Sequence, residues 1–151
     1  MTVTAWYDRQ KGTIEGLFTL SGPTGNLFTR MPARSGQEGY TDTDWVSGKS
    51  PIPYGVHTLF LKLSNAGEFP SGGGLGEFYP IGQAQNSRLI TGPTQQERWD
   101  IGLHPENAYP GSAGCIVLRW DTPALKIQVN RLFKFLGNLT KTQNAIRLEV
   151  L

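Results

Sequence analysis

The sequence predicts a mainly β domain, β-rich α+β in class, with one helix packed on its sheet. Three observations predict it. Short stretches alternate polar and apolar residues, as strands with one face on a core do. The 19 glycines and 10 prolines suit turns between strands and argue against a helical bundle. Only residues 122–137 carry apolar side chains at helical spacing. A chain of 151 residues can bury roughly 70% of its unfolded surface around one core. Residues 1–151 therefore read as a single domain, without repeats or low-complexity tracts.

The elements follow in order. Val3, Ala5 and Tyr7 alternate with Thr4, Trp6 and Asp8, Gln10-Lys11-Gly12 supplies a turn, and residues 13–20 return to complete a hairpin. Residues 21–26 are turn chemistry, and the polar, Gly- and Ser-rich stretch 32–53 reads as a long surface loop. Residues 56–63 alternate as a strand. Residues 64–87, with Ser71-Gly72-Gly73-Gly74-Leu75-Gly76, read as a second long loop. Residues 88–91, 98–104 and 115–120 are short strands. Asp121-Thr122-Pro123 starts the helix with a capping oxygen and a first-turn proline. Leu125, Val129, Leu132, Phe133 and Leu136 form its buried stripe, and Gly137-Asn138 is a plausible stop. Residues 145–151 close the domain as a strand in a mostly antiparallel arrangement.

Composition excludes several functions. A net charge of +2 gives no electrostatic case for nucleic acid or an acidic membrane surface. No apolar run is long enough to span a membrane, and no signal peptide is visible, which leaves the export route open. One cysteine excludes an internal disulfide and a multi-cysteine zinc cage. Gly48-Lys49-Ser50 lacks the earlier glycine of a phosphate-binding loop, since position 43 is Thr43, and Pro51 and Pro53 forbid the following helix. Asn138-Leu139-Thr140 fits a glycosylation sequon, which matters only after export. His57 sits in an alternating strand and reads as structural. No pair shows metal-ligand spacing, so neither metal nor cofactor is expected.

Residues 101–119 carry the chemistry. Cys115 follows Pro110-Gly111-Ser112-Ala113-Gly114 and enters an apolar strand. Small residues there let a substrate reach the thiol and let backbone N–H groups converge on one point. His104 lies 11 residues upstream, and the intervening loop can bring imidazole to thiol if both strands share a sheet. Such a pair supplies a nucleophile and a general acid/base. A lone cysteine is otherwise a small buried hydrophobe.

His104…Pro110-Gly111-Ser112-Ala113-Gly114-Cys115-Ile116-Val117 resembles the signature of the YkuD-type L,D-transpeptidase family, a histidine, a short loop, then Ser-x-Gly-Cys-Ile/Val. It is most similar to the branch lacking the second histidine, which includes L,D-carboxypeptidase-like effectors delivered by type VI secretion. Ser35-Gly36 and Pro51-Ile52-Pro53-Tyr54-Gly55-Val56 resemble earlier family segments more loosely. Three features depart from the pattern: Ala113 stands where the family has a histidine, Val117 where it has an arginine, and the His–Cys spacing is short. Arg119, two residues on, would share a strand face with Cys115 and Val117.

The resemblance implies an L,D-transpeptidase-like catalytic domain with the helix near 122–137 packed on its sheet. It implies peptidoglycan stem peptides as substrate, attacked at an L–D bond through a Cys115 thioester. His104 would be the base and acid, Gly114 and Cys115 N–H groups the oxyanion donors, and the Pro105 carbonyl the group that orients His104. Ser112, Arg119, Tyr109 and Trp99 would line the groove. Resolution of the thioester by an amine makes a transpeptidase; by water, an L,D-carboxypeptidase. The short spacing and the absent second histidine lean toward hydrolysis or a mixed activity. The place of action would be periplasm or cell wall, and an immunity protein would be a partner if the chain is an effector. Two rivals stand beside this reading. One is a non-catalytic wall-binding module stacking Trp6, Trp45, Trp99 and Trp120 on sugars with Cys115 buried; the other is a metallopeptidase using His57 and His104.

Overall fold

The computed structural model describes residues 3–10, 12–22, 27–40, 49–61, 78–83, 88–91, 96–99, 101–106, 112 and 114–151. Strands β1 (Thr4–Arg9) and β2 (Glu15–Ser21) form the expected hairpin, with Ala5 opposite Leu20 and Tyr7 opposite Phe18. All four side chains are buried, so alternation sends this face into the core. Eight strands close into a barrel. Besides β1 and β2 these are β3 (Leu27–Ser35), β4 (Gly55–Phe60), β5 (Tyr79–Gly82), β8 (Gly102–Pro105), β9 (Ile116–Leu118) and β10 (Ala145–Val150), in the order β1-β10-β4-β5-β8-β9-β3-β2. Strands β6 (Leu89–Thr91) and β7 (Gln96–Arg98) pair as a separate two-stranded sheet. The β1–β10 and β8–β9 pairs are parallel and the others antiparallel.

Among the described residues the protein is thus mainly β with one helix, as composition and periodicity indicated, but three expectations about its strands change. Residues 32–53 do not begin as a loop: β3 continues to Ser35, with Met31, Ala33 and Ser35 buried. Pro32 hides this alternation, and it is tolerated because β9 pairs only with Ala33–Ser35. Residues 64–87 contain β5, four buried residues that include Pro80. A run that short carries too little periodicity to stand out beside glycine-rich sequence. The single strand expected over 98–104 is instead the end of β7 and the whole of β8, in different sheets.

Helix α1 (Pro123–Leu139) begins where the sequence placed it. The Leu125 N–H donates to Thr122 Oγ1 at 3.1 Å, a cap worth about 1 kcal/mol. Val129, Leu132, Phe133 and Leu136 enter the same core as Leu59, Ile81, Leu103, Ile116 and Leu148. Each such side chain contributes roughly 1.5–3 kcal/mol by leaving water. Phe133 meets Tyr79 of β5 with ring centroids 5.4 Å apart, and Gln128 Nε2 donates to the Arg30 carbonyl of β3 at 2.7 Å. Gly137 does not stop the helix. The chain continues to Leu139 and ends where Thr140 Oγ1 donates to the Gly137 carbonyl at 2.5 Å.

Candidate active site

Parallel strands β8 and β9 set Leu103 opposite Ile116, His104 opposite Val117 and Pro105 opposite Leu118. Leu103, Ile116 and Leu118 belong to the barrel core. Alternation therefore puts His104, Cys115 and Val117 together on the other face. There Phe78, Cys115 and Val117 form a second buried cluster. The Phe78 ring stacks on His104 with centroids 5.8 Å apart and planes 27° from parallel. Gly102 permits this arrangement, because a Cβ at that position would run into the Phe78 ring.

Cys115 and His104 are each 6% exposed. The Gly102 N–H donates to Cys115 Sγ at 3.3 Å, a contact that favours the ionised sulfur over the thiol. His104 Nδ1 donates to the Pro105 carbonyl at 2.7 Å. A carbonyl can only accept, so this bond places the proton on Nδ1 and leaves Nε2 as the basic nitrogen. Burial pushes the imidazole down to about 4, and the hydrogen bond to Pro105 opposes this only in part. At neutral pH the ring is therefore an uncharged base, not an imidazolium already paired with a thiolate.

The turn before Cys115 is clamped by two serines. Ser35 Oγ, at the end of β3, donates to the Gly114 carbonyl at 3.1 Å and accepts the Ile52 N–H at 2.8 Å. Ser112 Oγ donates to the Cys115 carbonyl at 2.6 Å and accepts the N–H groups of Gly114 at 3.1 Å and Gly36 at 3.2 Å. The Ser112 N–H donates to the Gly36 carbonyl at 2.8 Å. Gly114 has φ +120°, a conformation that disfavours any residue with a Cβ.

The other residues singled out from sequence divide. The Gly114 N–H, expected to face an oxyanion, instead donates to Ser112 Oγ, and Ser112 itself is engaged in holding the turn. Arg119 donates to Asp121 at 3.1 Å in an exposed pair. Trp99 is 56% exposed, with the Arg88 guanidinium 5.9 Å from its ring centroid. Tyr109 lies outside the described residues, as does Trp45. Trp6 lies on β1, and Trp120 Nε1 donates to the Glu106 carbonyl at 3.0 Å. His57 faces the barrel interior with Leu59, β5 separates its strand from β8, and its Nε2 bonds to the Pro53 carbonyl at 2.8 Å. The two histidines are therefore not brought together. Among the described residues no three His, Cys, Asp or Glu side chains converge as metal ligands.

Two arginines, Arg34 half-buried and Arg98 buried, escaped the sequence reading. Arg34, opposite Val117 on β3, bridges Glu106 at 2.7 Å and Glu15 at 2.8 Å. Burial disfavours its charge, but the bonds to Glu106 and Glu15 outweigh that and raise its pKa. Arg98, ending β7, is 2% exposed and lies against Gly114. No spacing rule marks either residue, because both partnerships join segments remote in sequence. Comparison of the chain with protein-family models, curated proteins and solved structures finds no match.

Proposed function

We propose that the protein is a cysteine peptidase or acyltransferase of L,D-transpeptidase type that acts on peptidoglycan stem peptides. One observation carries the reading: Cys115 and His104 share one face of the β8–β9 pair, with His104 oriented by Pro105 and uncharged. The substrate class comes from the resemblance of residues 104–117 to that family.

In this reaction His104 Nε2 takes the Cys115 proton and sulfur attacks the carbonyl on the L side of an L–D bond. The tetrahedral oxyanion is held by the Cys115 N–H and by that of Gly114 once it releases Ser112 Oγ. Collapse breaks the C–N bond, forms the thioester, and sends the His104 proton to the leaving amine. Water or a second amine then attacks the thioester, His104 accepts its proton, and the thiol is restored. The short His–Cys spacing and Ala113 favour water, hence L,D-carboxypeptidase activity. The site of action is the periplasm or cell wall, where the substrate lies.

The test is mass spectrometry of purified muropeptides bearing tetrapeptide stems, incubated with wild-type protein and with Cys115→Ser. Loss of the terminal D-residue or a cross-linked dimer, absent with the variant, is expected. Unchanged stems together with a Cys115 that resists iodoacetamide would overturn the reading in favour of a non-catalytic wall-binding module.

A further inference from the structure

Arg98 is among the largest fully buried side chains of the protein. It ends β7, opposite Leu89 in the small sheet outside the barrel. Its guanidinium spans two consecutive carbonyls, donating from Nη1 to Pro51 at 2.9 Å and from Nη2 to Ser50. The same side chain rests on Gly114. A Cβ there would collide with Nη2 and lie 3.0 Å from Cζ. The guanidinium is pinned by its carbonyls and cannot swing aside as an exposed arginine would.

These contacts close a ring around the nucleophile's turn. Arg98 holds the carbonyls of residues 50 and 51, Ile52 N–H holds Ser35 Oγ, and Ser35 Oγ holds the Gly114 carbonyl. Gly36 closes on Pro51, since a Cβ on Gly36 would lie 2.6 Å from the Pro51 nitrogen. A planar, two-pronged donor suits this task better than an ammonium, which acts as a single point charge.

We propose that Arg98 is a positioning residue of the Cys115 site, locking the Gly114 turn and setting a buried positive charge beside the sulfur as it loses its proton. The inference rests on Cys115 being the nucleophile of the proposed reaction. Burial disfavours the guanidinium charge, a negative charge on Cys115 supports it and the nearby Arg9 disfavours it; by reciprocity the Arg98 cation supports the thiolate. The titratable and charged groups about this site among the described residues are Arg98 from β7, Arg9 from β1, His104 from β8, and the Arg34–Glu106 pair joining β3 to the residue after β8. His104 is uncharged, Arg34 bonds two carboxylates, and Arg9 donates to the Ile52 carbonyl at 3.2 Å and lies over the Tyr54 ring, so Arg98, which rests on Gly114, is the cation assigned to the sulfur.

The experiment measures the pH dependence of iodoacetamide alkylation of Cys115, together with stem-peptide turnover, in wild type, Arg98→Gln and Arg98→Lys. Removing the opposite charge beside the Gly114 turn should raise the alkylation midpoint by about one pH unit or more in Arg98→Gln. Arg98→Lys keeps the charge and loses the two-pronged grip. It should retain the wild-type midpoint while turnover falls about 100-fold, the cost typical of misplacing a reacting group by about 1 Å. Identical midpoints in wild type and Arg98→Gln would overturn the charge role, and full turnover in Arg98→Lys would overturn the positioning role. If Arg98→Gln does not fold, Arg98→Met, also uncharged and of similar length, takes its place in the midpoint comparison, while Arg98→Lys decides the positioning role. Alkylation needs no substrate. Wild-type protein that leaves stem peptides intact, yet shows the Arg98-dependent curve, would refute the substrate reading and uphold Arg98.

Discussion

Protonating His104 should destabilise the protein from within its candidate site. The ring is 6% exposed, stacked under Phe78, with Nδ1 already bonded to Pro105. Its folded pKa is depressed to about 4, against about 6.5 in an unfolded chain. A depressed pKa contributes stability that is fully present above the unfolded value and is lost as pH falls through the folded one. The window therefore runs from about pH 6.5 down to about pH 4, where the unfolded chain takes up a proton that the native state refuses. A gap of roughly 2.5 units at 1.36 kcal/mol per unit makes the loss about 3 kcal/mol. Urea denaturation at fixed ionic strength, from pH 7 to pH 4, should show wild type falling more steeply than His104→Gln by that amount. Carboxylates titrate in both proteins, so the difference between the curves isolates His104. Parallel curves would mean that the imidazole is not a buried neutral base, and the proposed proton transfer would lose its acceptor.

The remaining predictions concern the same region and its scaffold. Ser35→Ala removes the acceptor of the buried Ile52 N–H and the donor to the Gly114 carbonyl; it should cost about 1–3 kcal/mol in urea denaturation and lower turnover as well. Gly102→Ala drives a methyl into the Phe78 ring over His104, which should cost about 1–3 kcal/mol and change the rate of Cys115 alkylation. Thr122→Ala removes the helix cap, remote from the chemistry; a loss of about 1 kcal/mol with unchanged turnover is expected. His57→Ala, facing the barrel interior, should leave the alkylation pH curve at its wild-type position.

Local physics in the sequence was enough for the β1–β2 hairpin, for the start of α1 at Thr122-Pro123, and for the strand after the Cys115 turn. Each depends on periodicity or capping within a few residues. The Pro105 carbonyl beside His104 Nδ1 is also a neighbour in the chain, and its hydrogen bond is present. Tertiary structure decided what depends on distant segments meeting. Barrel closure needs β10 to pair with both β1 and β4, and no local signal specifies that. Strand β3 was hidden by Pro32, and β5 by its brevity. The opposite faces taken by His104 and His57 follow from how the strands curl around one core, which period-2 alternation cannot state without knowing which side is inside. Arg98 is the clearest case. From its neighbours it is one more charged residue ending a short strand; only the fold carries it under Gly114, where two distant carbonyls offset the cost of burying its charge next to the Cys115 turn.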